Sequence, residues 1–123
     1  MKKVLIIEDE EILRNLLRKK LSAKGYETKT AVDGKEGFEK VKKENPDIIL
    51  LDLIMPKMNG FDVLEKLEKD EKLSNIPVII VSNSGQPVEI DKAKKFGVKD
   101  WIVKTNFDLD EVIKKVVSQI GNP

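Results

Sequence analysis

Five short strand-like segments recur along this chain, each followed by a stretch of helical periodicity. That alternation restricts the possible folds more than any other feature. Residues 4–7 are a continuous apolar run, and Ile12, Leu13, Leu16, Leu17 and Leu21 follow at helical spacing. Arg14, Arg18 and Lys19 take the opposite face, and Gly25 suits a left-handed helix end. Glu27–Ala31 is polar and Thr-rich, as an edge strand can be. Residues 35–44 predict a second helix burying Phe38 and Val41, and Pro46 prevents its continuation. Residues 47–51 form a third strand, apolar enough to be covered on both faces. After the turn-rich segment 55–60, Phe61, Leu64 and Leu67 mark a third helix. Residues 78–81 are a fourth strand. Residues 88–96 read as a helix with a thin apolar set, Val88, Ile90, Ala93 and Phe96, ended by Gly97. Asp100–Val103 is a fifth strand. The last helix carries Leu109, Val112, Ile113, Val116, Val117 and Ile120 on one stripe, with Asp108 as N-cap and Glu111 placed for a capping box. Strands alternating with helices predict an α/β fold: a doubly wound, five-stranded parallel sheet with helices on both faces.

The length of 123 residues fits one domain, residues 1–123, and no linker, repeat or low-complexity segment divides it. The chain contains no Cys and no His. Thiolate metal sites, disulfides, His-ligated zinc and any Ser-His-Asp triad are therefore excluded. A net charge of +1 argues against a basic nucleic-acid binder, and no helix-turn-helix pattern is present. The apolar runs are strand-sized, too short to span a membrane. The start, Met1-Lys2-Lys3 and an apolar run meeting acids at once, reads as a first strand and not as a signal peptide, so the default compartment is the cytoplasm.

In an open parallel sheet, ligands bind beyond the carboxyl ends of the strands. The residues at those ends are Glu8 and Asp9 after the first strand, Asp52 after the third, Ser82 at the fourth and Lys104 after the fifth. Three carboxylates, a hydroxyl and an ammonium are thus expected at one rim. Clustered carboxylates repel each other unless a cation is present, and a hard divalent ion with oxygen ligands relieves the conflict. A carboxylate left partly free can attack phosphorus and form an acyl phosphate.

These segments carry a family resemblance. Residues 4–10 (VLIIEDE), 51–60 (LDLIMPKMNG), 77–82 (PVIIVS) and 100–104 (DWIVK) resemble, in order, the receiver domains of bacterial two-component response regulators. The resemblance covers essentially the whole chain and implies the flavodoxin-like strand order 2-1-3-4-5. It also implies a role for each residue. Asp52 would be the phosphoacceptor. Asp9, Asp52, the Ile54 backbone carbonyl and, through water, Glu8 would hold Mg²⁺, with Mn²⁺ able to substitute. Lys104 would pair with Asp52 and then with the phosphoryl group. Ser82 would bond a phosphoryl oxygen, and Ser82 and Trp101 would act as the switch. The implied function is a phosphorylation-dependent signalling switch. It would take its phosphoryl group from a phosphohistidine on a histidine kinase or phosphorelay protein, and change the surface of the fourth helix, fifth strand and fifth helix for a downstream protein. Such a domain catalyses its own phosphoryl transfer and dephosphorylation but turns over no external metabolite. The residues two beyond the acceptor and two beyond the hydroxyl, Ile54 and Ser84, would tune the phosphoryl lifetime.

Three positions depart from the family pattern. Thr105 stands where Pro is usual, Asn83 where a small residue is usual, and Trp101 where Tyr or Phe is usual. Three other readings stay open from the residues alone. A receiver fold that signals by binding without phosphorylation is one. A flavin-binding carrier is another, although residues 8–11, all acidic, oppose a phosphate cradle. An aspartyl-phosphate hydrolase is the third, although Leu53, Ile54 and Met55 supply no second acid after Asp52.

Overall fold

The computed structural model describes residues 1–83, 86–104 and 108–123. The sequence-based expectations for Ser84 and Thr105 lie outside the described residues. In chain order the elements are β1 (Lys3–Ile7), α1 (Glu11–Lys24), β2 (Glu27–Ala31), α2 (Gly34–Glu44), β3 (Ile48–Leu51), α3 (Gly60–Glu68), β4 (Val78–Ser82), α4 (Pro87–Lys95), β5 (Asp100–Val103) and α5 (Leu109–Ile120). The strands form one parallel sheet in the order β2-β1-β3-β4-β5. The chain is therefore a doubly wound α/β fold of the flavodoxin-like type, as the sequence predicts.

Side chains alternate across the strands and divide the core in two. Leu5, Ile7, Ile49, Leu51 and Ile80 face one way, toward Val41 of α2, Val63 and Leu67 of α3 and Ala93 of α4. Val4, Ile6, Ile48, Leu50, Ile79 and Val81 face the other way, toward Leu17 and Leu21 of α1 and Val112 and Val116 of α5. The central strands β1, β3 and β4 are apolar on both faces because helices cover both. The outer strand β2 is half-exposed until Ala31.

Local chemistry sets the element ends. Gly25 closes α1 at φ 117°, a left-handed conformation that suits glycine. Asn59 and Asp62 form a reciprocal capping box at the start of α3. The box expected at α5 takes a simpler form: Asp108 caps that helix by accepting from the Asp110 amide at 2.9 Å. One expectation needs correction. The stripe on α1 does not face the core throughout, since Ile12 is 78% exposed and Leu16 44% exposed, and only Leu17 and Leu21 are fully buried. At helical spacing Ile12 and Leu16 lie on one flank of the stripe, turned away from the side that carries Leu17 and Leu21 to the core. No described helix is long and apolar enough to cross a membrane.

Candidate functional site

The strand ends at one sheet edge carry an unusual density of buried charge. Pairing of Ile7 with Leu51 in register sets the next residues, Glu8 and Asp52, side by side. The Asp52 amide donates to the Ile7 carbonyl at 3.0 Å, so the ladder continues until the acids begin. Both carboxylates are buried, whereas Asp9 is exposed. One oxygen from each of Glu8, Asp9 and Asp52 lies within 4.8 Å of the others. Lys104, directly after β5, sends its ammonium into this group. Its Nζ is 3.0 Å from Glu8 Oε1 and 3.1 Å from Asp52 Oδ2.

Backbone donors hold the acids in place. The Glu10 amide donates to Glu8 Oε2 at 3.1 Å, and the Ile54 amide donates to Asp52 Oδ1 at 3.3 Å. Ile54 itself points outward at the mouth of the site, 69% exposed. Gly60 explains how the loop after β3 closes. A Cβ there would lie 2.5 Å from the Asp52 carbonyl oxygen and 2.7 Å from Leu53 Cα, and the Gly60 amide donates to the Leu53 carbonyl at 2.7 Å. The start of α3 thus seats directly on the backbone that carries Asp52.

Electrostatics follow from burial. Loss of solvent and the neighbouring Asp52 charge push the Glu8 carboxyl up to about 8, against partial relief from the Glu10 amide and Lys104. Burial also raises Asp52, with Lys104 pulling it back. Burial alone draws the Lys104 ammonium down, but the Glu8 and Asp52 carboxylates outweigh it and hold the group above its usual value. Two buried carboxylates beside each other resist ionising together, and a cation among their oxygens would relieve that repulsion. An all-oxygen donor set with an exposed carboxylate at its outer side fits a hard cation such as Mg²⁺ or Mn²⁺.

Ser82 is the last residue of β4 and is buried at the same edge. Asn83 follows it and borders an open depression with Glu10 and Lys104. Trp101 lies lower on β5, half-buried against the α4 side of the core, in a small cleft with Ile90 and Ala93. Two residues at the site were not singled out from sequence. Glu10 Oε1 reaches Lys104 Nζ at 3.3 Å. Arg14, assigned to a solvent face, instead turns back and donates to the Glu8 carbonyl at 3.0 Å and the Asp9 carbonyl at 3.3 Å, clamping the loop that carries both acids. The only signal for either was spacing. Glu10 is two residues beyond Glu8, and Arg14 sits one helical turn into α1.

Comparison with known proteins gives one consistent match. A family model for the response regulator receiver domain matches residues 4–117. The chemotaxis protein CheY of Thermotoga maritima is 38% identical over 104 residues, covering 84% of this chain and 85% of that protein. The structure of Vibrio cholerae CheY4 superposes with a TM-score of 0.90 at 28% identity, covering 97% of this chain and 98% of that one. A response regulator solved in a Mn²⁺-bound form, Rcp1, superposes with a TM-score of 0.83 at 25% identity, covering 96% and 93% of the two chains. Other curated relatives are transcriptional regulators, and the chain spans about half the length of these.

Proposed function

The chain belongs to the response-regulator receiver family, and from that premise we propose that it is a phosphorylation-dependent switch in which Asp52 accepts a phosphoryl group from a partner phosphohistidine. The observation that carries this reading is the Asp52 carboxylate itself: buried, 3.1 Å from Lys104, and grouped with Glu8 and Asp9. Mg²⁺, or Mn²⁺ in its place, would be held by Glu8, Asp9, Asp52 and the Ile54 backbone carbonyl, and would supply charge neutralisation for the carboxylates and the arriving phosphoryl oxygens.

The steps belong to the chain's own residues. An Asp52 oxygen attacks phosphorus in line, and the donor's bond to phosphorus breaks with its electron pair leaving on the donor nitrogen. Lys104 then exchanges one partner oxygen for another, from the carboxylate to the phosphoryl group. The new group carries about −1.5 to −2 charges and draws the Ser82 hydroxyl into a hydrogen bond. Ser82 ends β4, and its movement biases α4 and the half-buried Trp101 packed beside it. The α4-β5-α5 surface then changes what it binds, a downstream protein and not nucleic acid directly. Water later attacks the phosphorus, the bond to the Asp52 oxygen breaks and inorganic phosphate leaves, so the carboxylate is restored and the domain resets itself without turning over an external metabolite. Residues 1–123 act as one cytoplasmic unit in this scheme.

The test is intact-protein mass spectrometry after incubation with acetyl phosphate and Mg²⁺. One added phosphoryl group is expected, lost on chelation and lost in Asp52→Ala. No addition, or labelling that survives Asp52→Ala, would sink the reading and favour a module that signals by binding alone.

A further inference from the structure

Lys104 has three carboxylate partners, and they are not equivalent. Glu8 and Asp52 are buried beneath it, whereas the Glu10 side chain is 53% exposed and meets the ammonium from the solvent side at 3.3 Å. Glu10 sits at the N-cap of α1, and its own amide is spent on Glu8 Oε2, which fixes where its side chain begins. With Asn83, Lys104 and the apolar Ile12, Leu13 and Leu16 it lines an open depression of about 390 Å³, which Lys104 joins to the buried acids. Among the residues lining that depression, Glu10 is the one anion and Lys104 the one cation. An anion approaching from this side therefore meets the Glu10 charge before it meets the ammonium. As a stabilising contact, an exposed pair of this kind is worth little. As a fixed charge at the mouth of a concave site, it acts on every charged molecule that enters.

We propose that Glu10 is a specificity-determining residue that discriminates among phosphodonors by their net charge. The inference rests on the Asp52 phosphoacceptor reading and deepens it. Acetyl phosphate is doubly negative near neutral pH, while phosphoramidate carries an ammonium-like nitrogen and is one unit less negative. In both reactions the Asp52–phosphorus bond forms in the same way. With acetyl phosphate the P–O bond breaks and acetate leaves with the electron pair. With phosphoramidate the P–N bond breaks and ammonia leaves with the protons its nitrogen already carried. The charge at position 10 repels the first donor more than the second, so this chain favours donors whose leaving group carries positive charge or is bound to a neutralising protein surface.

The experiment compares wild type, Glu10→Gln and Glu10→Asp, measuring phosphorylation rate constants with each donor at saturating Mg²⁺, in low and in high salt. In low salt, Glu10→Gln is expected to raise the acetyl phosphate rate about 3- to 10-fold and the phosphoramidate rate less than about 2-fold. The Glu10→Asp variant keeps the wild-type ratio, and high salt collapses the difference between wild type and Glu10→Gln. An unchanged urea midpoint in Glu10→Gln shows that the effect is not one of folding. Equal acceleration with both donors, a ratio indifferent to salt, or Glu10→Asp behaving as Glu10→Gln overturns the inference alone. Failure of the wild type to take phosphate from either donor overturns the phosphoacceptor reading, and this inference with it.

Discussion

Asp52 and Glu8 are held at a free-energy cost that the rest of the fold must offset. In the metal-free protein, Glu8 has a folded value near 8 against an ordinary value of 4.5. A carboxyl raised in this way contributes stability that is fully present below pH 4.5 and lost as pH climbs through about 8. The charges around it are Asp52, Asp9 and Lys104, with Glu10 beyond the ammonium. Urea denaturation in EDTA should therefore show stability falling from about pH 5 to pH 8, with a slope of at most about 1.4 kcal/mol per pH unit for one proton. Asp52→Asn removes the neighbouring charge, so it should raise the urea midpoint at pH 8 and leave it nearly unchanged at pH 5. A flat profile, or a midpoint lowered at pH 8, would contradict the electrostatic account. Ile54 makes a separate case. Its apolar side chain stands at the mouth and offers no hydrogen bond to an attacking water, so Ile54→Asn should shorten the phosphoryl lifetime by about 3- to 10-fold, read by the decay of the phosphorylated mass. The positions of Glu8, Asp9, Asp52 and Lys104 were legible in sequence, because a parallel sheet dictates that strand ends share an edge. Glu10 and Arg14 were not, since acids and bases in a first helical turn are usually read as solvated charge or dipole compensation.

At the scale of elements, periodicity gave the strands and helices to within about a residue or two, as expected where pattern is strong. It did not give the rotation of α1. Ile12 and Leu16 share the helical stripe with Leu17 and Leu21, yet they lie outside the core. Helical spacing assigns residues to a stripe, but which flank of a wide stripe meets the sheet depends on the rotation of the helix, which no local pattern encodes. The difference has a measurable consequence. Leu17→Ala removes a fully buried side chain and should cost about 2–5 kcal/mol in denaturant unfolding. Leu16→Ala should cost about 1 kcal/mol or less, since much of that side chain is already in water. Similar costs at both positions would place α1 differently. The segment between β3 and α3 was legible as a turn, but its purpose was not. Gly60 is required by close approach, because any Cβ meets the backbone of Asp52 and Leu53. Gly60→Ala should lower stability by about 1–3 kcal/mol through this overlap, and should slow Asp52 phosphorylation beyond what the lost stability explains, because relief of the overlap moves the acceptor itself.

For the whole molecule, the site is assembled only when the sheet is complete. Glu8 and Asp9 come from the first strand, Asp52 from the third and Lys104 from the fifth, with the register of β1 against β3 setting the two buried acids together. An unfolded chain has no such cluster, so a cation that binds the folded cluster stabilises the entire fold by mass action. At a free Mg²⁺ concentration 100-fold above its dissociation constant, the expected gain is about 2.7 kcal/mol. The gain must also depend on pH, because cation and proton compete for the same oxygens. At pH 5 the raised Glu8 carboxyl is protonated and the cation has to displace that proton, whereas near pH 8 about half of these groups are already ionised. Apparent Mg²⁺ affinity should therefore climb with pH and level off above about 8, and the stability lost on alkalinisation in EDTA should be restored by the cation. Asp9→Asn tests the location without disturbing the core, because Asp9 is exposed. It should leave the metal-free urea midpoint near wild type while removing most of the Mg²⁺-dependent gain. If Asp9→Asn retains the full gain, the cation binds elsewhere, and the buried acids owe their positions to Lys104 and to the Glu10 and Ile54 amides.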